Sequence, residues 1–228
     1  MRFAWIKEPP FNVVRNGRLT GCDVELARLV LARAGEKFEP IETEFSELIP
    51  GLKAGRWDVT TGMFMTPDRA VDVMFTRPIW ALGDGLLVRS GQATRIAGYR
   101  SFTLPGRILA ILEGQVQHQT ALANGVPPDN LRVFGNYDEA ADAVVAAKVD
   151  GYASVELAHH AYIAGRSDVG LQCLSVPATE KGTDEGAFAS RNKTIADRLD
   201  RVLRDFVGTE DHKAMLRSTG VEPTLLGF

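Results

Sequence analysis

The most constraining feature is an alternation in the first 64 residues. Three short apolar runs, RFAWI (2–6), KFEPIE (37–42) and VTTGMF (59–64), read as strands. Between them lie CDVELARLVLARAG and EFSELIPGLKAGRWD. The first places Val24, Leu26, Ala27, Val30, Leu31 and Ala34 at helical spacing, with Asp23 near the start and Gly35 as the stop. The second predicts a helix with Ser46 as its N-cap and Pro50 early, where a missing N–H costs least. Strand–helix–strand–helix–strand is the pattern of a parallel α/β sheet. Pro-Pro, Asn-Gly and Gly punctuation make KEPPFNVVRNGRLTG a loop.

After Trp80 the pattern restarts. ALGDGLLVRSG reads as an extended crossing segment. RILAIL, NLRVFG and GYASV read as strands, interleaved with helices over EGQVQHQTALANG, YDEAADAVVAAKVD and ELAHHAYIAG. LQCLSV and GAFASR are strands flanking the polar loop PATEKGTDE, and the tail from Lys193 is helical with a break near Gly208. The expected organisation is two α/β lobes: residues 1–82, then 83–180, with 181–228 returning to the first. Ligands of open α/β sheets bind near the carboxyl ends of the parallel strands.

Composition narrows the function classes. The 26 basic and 29 acidic residues give a formal net charge of −3, and there is no polybasic run, so nothing attracts nucleic acid or an anionic membrane. No stretch reaches the ~18 apolar residues of a membrane span. The two cysteines, Cys22 and Cys173, do not form a disulfide framework, and Cys22 reads as a small buried residue. Glu156, His159 and His160 have i, i+3, i+4 spacing, but no further ligand motif joins them; solvated histidines on an outer helix face are expected, and no metal or other cofactor.

Four stretches in order, PPF, NGRLTGCDVELARLVL, EFSELIPGLKAGRWDV and GMFMTPDRAVDVMFTRPIW, and more weakly AILEGQVQHQTA and AAKVDGYAS, resemble the polar amino-acid group of solute-binding proteins of ABC importers. The resemblance implies an α/β fold of the type II periplasmic-binding-protein kind, each lobe a mainly parallel sheet flanked by helices, joined by two crossing segments. It implies a monomer that traps a small ligand and hands it to a permease, without catalysis or cofactor. Hinge closure is the switching mode such a fold uses.

The same resemblance assigns roles. Arg69 matches the arginine that grips a ligand carboxylate, for which a guanidinium fork is suited. Thr61, Gly62 and Phe64 fall on the strand edge that meets the ligand, with Phe64 where Ser or Thr is usual. Phe45 matches a stacking aromatic, or is a staple beside a helix start. Glu8 meets a basic ligand group or faces water, and Trp5 offers an apolar or cation–π wall. In the second lobe, Gln115 and Val116 replace a Ser/Thr pair at a glycine turn entering a helix, and Gln115 or Gln117 supplies amides. Val155 stands where an ammonium-binding Asp is usual, between Ser154 and Glu156. Either Glu156 takes over that role, or the ligand has no conventional α-ammonium.

Two other readings stay open. Some relatives are dehydratases of cyclic carboxylates, and Glu156 is the general-acid candidate for such chemistry. A ligand-sensing module or a cytoplasmic binding protein is the third. MRFAWIKEPPF lacks the order of a secretory signal, so the expected location is periplasmic if a leader precedes this chain and cytoplasmic otherwise.

Overall fold

The structure is a computed structural model that describes residues 1–166, 170–182 and 185–228. The chain divides into two compact units, Met1–Leu82 with Thr183–Phe228, and Gly83–Gly182.

The first unit begins with β1 (Arg2–Trp5), the hairpin β2 (Val13–Arg15) and β3 (Arg18–Thr20), and helix α1 (Cys22–Arg33). Then come β4 (Glu39–Glu42), α2 (Leu48–Lys53), β5 (Val59–Phe64), α3 (Pro67–Asp72), β6 (Met74–Phe75) and β7 (Trp80–Ala81). The second unit holds β8 (Asp84–Arg89), β9 (Leu109–Leu112), α4 (Val116–Ala123), β10 (Leu131–Phe134), α5 (Tyr137–Val145), β11 (Gly151–Val155), α6 (Glu156–Ala164) and β12 (Leu171–Ser175). β13 (Glu185–Ser190), α7 (Lys193–Phe206) and α8 (Glu210–Ser218) complete the first unit. The polar loop expected over 177–185 includes residues 183 and 184, which lie outside the described residues.

The first sheet runs β4-β1-β5-β13-β6, with β7 also on β13. β1 pairs parallel with β4 and β5, as a helix after each strand requires; the returning β13 joins β5 antiparallel. The second sheet runs β10-β9-β11-β8-β12, parallel across β10, β9 and β11 and antiparallel across β8 and β12. ALGDGLLVRSG therefore contributes a fully paired central strand to the second sheet.

One core cluster of the first unit joins Ala4, Ile6, Leu48, Leu52, Trp57, Met63 and Val73. In the second, Leu86, Val88, Tyr99, Phe102, Ile111 and Ala153 form one cluster. The other face packs Tyr137, Tyr152 and Tyr162 around His159.

Two local expectations are corrected. Residues Phe45–Glu47 form a 3-10 turn and α2 starts at Leu48, so Ser46 caps nothing. The turn is set by Trp57, whose indole N–H donates to the Leu48 carbonyl at 2.8 Å. Gly51 makes room for it, since a Cβ there would lie 1.9 Å from the ring. His159 is not solvated: it is wholly buried, with Nδ1 2.7 Å from the Tyr137 hydroxyl, and burial holds its pKa down at about 3. His160 is the exposed member of the pair, 3.3 Å from Glu156.

Candidate functional site

In the first unit the site is built at the end of β5. A bulge lies here: Gly62 pairs with Phe188 and Val59 with Ser190, so Thr60 and Thr61 together face Ala189. A bulge re-aims a side chain, and Thr61 is aimed at α1. Its hydroxyl donates to Asp23 Oδ2 at 2.7 Å and accepts from Asn12 Nδ2 at 2.9 Å. The same Asp23 oxygen accepts from the Gly62 N–H at 2.8 Å. Thr61 is thus a buried strut of the unit, its hydroxyl engaged by Asp23 and Asn12.

Trp80 lies flat over this edge. A Cβ on Gly186 would sit 2.0 Å from its ring, and one on Gly62 2.6 Å from its Nε1. Only glycine permits that approach. Phe64 meets the same indole edge-on, with centroids 5.1 Å apart, and is buried. Burial pushes the Asp23 carboxyl above its ordinary value, against the lowering pull of Thr61, the Gly62 N–H and Trp80.

Arg69 follows from the turn after β5. Thr66 caps α3, its hydroxyl accepting from the Arg69 N–H at 3.2 Å, and Pro67 occupies the first turn, where it is tolerated. The side chain folds back over the strand end. Nη1 donates to the Phe64 carbonyl at 2.8 Å, and the guanidinium carbon lies 5.3 Å from the Phe45 ring centroid. Only 9% of the residue is exposed, and burial lowers its pKa to about 10. Phe45 is both a floor for the cation and a partly buried neighbour of the Leu48 and Trp57 cluster. Trp5, at the end of β1, and Glu8, in the turn that receives N–H bonds from Phe11 and Asn12 at 3.0 Å, are both buried.

In the second unit Gly114 turns the chain with a positive φ and Gln115 stands at the N-cap of α4 without a side-chain cap bond. Val116 opens the helix and is partly exposed. Gln117 is buried and its Nε2 donates to Asp84 at 2.8 Å. Gln115 is 7% exposed, and its Oε1 has no hydrogen-bond partner among the described residues. Ser154 is buried. Glu156 opens α6; its Oε1 accepts from Ser175 Oγ at 2.7 Å. Among the described residues no group of three potential metal ligands occurs, and no helix is long and apolar enough to cross a membrane.

Sequence reasoning missed Asn12, Asp23, Trp80, Asp84 and Tyr99. An acid in the apolar stripe of a helix start (Asp23) and an acid between two glycines before a buried strand (Asp84) are the only local signals for two of them.

Two α/β units with these topologies define the type II periplasmic-binding-protein fold. A structure of EhuB in complex with hydroxyectoine shares it, with a TM-score of 0.86, 24% identity, and coverage of 99% of this chain and 90% of that one. Residues 2–217 match the bacterial extracellular solute-binding proteins, family 3, and the chain belongs to that family. It is 31% identical over 220 residues to a probable amino-acid ABC transporter periplasmic-binding protein of Sinorhizobium fredii, covering 91% of this chain and 72% of the relative. It is 24% identical over 206 residues to ABC transporter arginine-binding protein 1 of Escherichia coli, covering 86% and 79%.

Proposed function

We propose that this solute-binding protein takes up an amino acid or amino-acid derivative, held by its carboxylate, and delivers it to an ABC importer. Arg69 carries the reading. Its guanidinium is held nearly out of water beside the Phe45 ring. Its planar fork matches a carboxylate, and exclusion of water strengthens the pair. Phe45 and the Phe64 carbonyl hold the fork in place. The Gly62 strand edge, fixed from behind by Asp23, is a further hydrogen-bonding surface of this site.

The named relatives support the solute class. One is a probable amino-acid binder and another an arginine binder, and a structural neighbour was solved with hydroxyectoine, itself a carboxylate bearing a cationic nitrogen system. In this reading the chain acts as a monomer in the periplasm and binds its solute without turning it over; Glu156, the dehydratase candidate, accepts from Ser175 Oγ and lies 3.3 Å from His160 Nε2. The test is a thermal-shift screen of L-amino acids, hydroxyectoine, betaines and prephenate. Stabilisation by one or more of the amino acids or hydroxyectoine, with no turnover of prephenate, is expected. Silence across the panel, or turnover, contradicts the reading.

A further inference from the structure

A hairpin of the first unit sets two arginines directly against each other. Asn16 and Gly17 both have a positive φ, 51° and 74°, which is the geometry of a tight type I′ turn. That turn fixes the register of β2 on β3: Val13 opposes Thr20, Val14 opposes Leu19, and Arg15 opposes Arg18. Directly opposed residues of an antiparallel pair project to one face, and like charges there are destabilising. The Arg15 guanidinium has no hydrogen bond or ion pair among the described residues to offset this. Folds break such local rules chiefly at functional sites.

The pair lines an open cleft of about 690 Å³ between the hairpin, α1 and the end of α8, all within the first unit. Arg28 of α1 is the third cation on its wall. This one is held in place: Nη2 donates to the Leu19 carbonyl at 3.2 Å, and the guanidinium carbon lies 4.5 Å from the Phe38 ring centroid. Glu25 is the one acid among the described lining residues, and it is shared. Its Oε1 is 3.4 Å from Arg18 Nη2 and its Oε2 3.4 Å from Arg28 Nε. Both contacts are long, and Arg28 Nε is buried with no hydrogen-bond partner among the described residues. The end of α8 does not take up the arginines either. The Ser218 and Thr219 hydroxyls donate to the Met215 and Leu216 carbonyls at 2.7 Å each, so those carbonyls are met from within the helix end. Three guanidiniums against one carboxylate leave two positive charges unmet, in a chain whose formal net charge is −3.

We propose that this cleft is a second ligand site, which binds a small anion of at least two negative charges through Arg15, Arg18 and Arg28. Guanidinium forks match phosphate and carboxylate oxygens alike, so a phosphate compound and a polycarboxylate share this chemistry. A concave space of several hundred Å³ is on the scale of a small molecule. Arg28 is preorganised, while Arg15 and Arg18 are exposed and close over the ligand from the hairpin. The site shares no residue with the surroundings of Arg69 and stands apart from the amino-acid reading.

The experiment titrates pyrophosphate, citrate, acetate and poly-L-glutamate by calorimetry at low ionic strength, where screening is weak. Wild type is compared with the double variant Arg15→Ser/Arg18→Ser, with Arg28→Gln, with Glu25→Gln and with Arg132→Ser, an exposed arginine of the second unit. Circular dichroism checks folding. Pyrophosphate or citrate is expected to bind wild type at one site per chain, and acetate, with one charge, more weakly. The tighter of the two names the source, and equal affinities assign the site to charge alone. The hairpin variant is expected to lose about tenfold in affinity, the scale of a charge-assisted bond, and Arg28→Gln at least as much. Glu25→Gln removes the competing carboxylate and should bind more tightly. Arg132→Ser should stay within about threefold of wild type. Should Arg28→Gln fail to fold, the hairpin variant decides, because its two side chains are exposed. No binding of pyrophosphate or citrate to wild type overturns the proposal, as does an unchanged affinity in the hairpin variant or an equal loss in Arg132→Ser. Weaker binding by Glu25→Gln overturns it too. Binding of poly-L-glutamate with both small anions silent also overturns it, and gives the cleft to an acidic chain.

Discussion

At the scale of single residues, burial separates groups that look alike in the sequence. Arg69 is one of many arginines, yet it is buried beside an aromatic ring. Arg69→Lys keeps the charge but loses the fork, so binding of an amino-acid solute should fall about tenfold or more in calorimetry. Asp23 ties Thr61 and Gly62 to α1. Asp23→Ala removes the side-chain acceptor of the Gly62 N–H and one of the two acceptors of the Thr61 hydroxyl, which keeps Asn12 Oδ1 at 3.1 Å, so urea unfolding should show a loss of about 1–3 kcal/mol. His159 gives a pH dependence. Its folded pKa of about 3 lies below the ordinary imidazole value of 6.5, so only the unfolded chain takes up its proton between those limits. Stability should therefore fall as pH drops from about 6.5 towards 3, by up to about 1.4 kcal/mol per pH unit from this residue. His159→Phe should flatten that part of the unfolding profile; an unchanged slope would mean the imidazole protonates within the fold.

At the scale of elements, the expected strand VTTGMF coincides with β5, and the α1 stripe is buried where its periodicity places it. These were legible because β-branched runs and helical spacing are local. What was not legible is contact across long separations. Thr61 was expected at a ligand-facing edge, but its partner Asp23 is 38 residues away. His159 was expected in solvent, but Tyr137, 22 residues earlier, receives it. Glu156 was weighed as a successor to Val155, and one step of the pleat carries it to the other face. The start of α2 depends on a glycine that admits an indole, which periodicity does not report. That close packing is testable: Gly186→Ala drives a methyl into Trp80 and should cost about 1–3 kcal/mol, the usual range of overpacking. A variant of wild-type stability would show that the indole does not press on the strand.

At the scale of the whole molecule, membership of the family spans residues 2–217, and the two units each supply their own sheet, core and set of buried polar groups. The account's central claim is that the chain binds a carboxylate-bearing solute through Arg69. Solute at a hundredfold excess over its dissociation constant should stabilise the fold by about 2.7 kcal/mol, which makes a screen decisive enough to choose the probe. The most direct measurement is then calorimetric titration of that probe into wild type and Arg69→Ala at equal, verified folding. The account predicts heat and a saturable isotherm for wild type and no measurable binding for the variant. Equal affinity in the two proteins would contradict it.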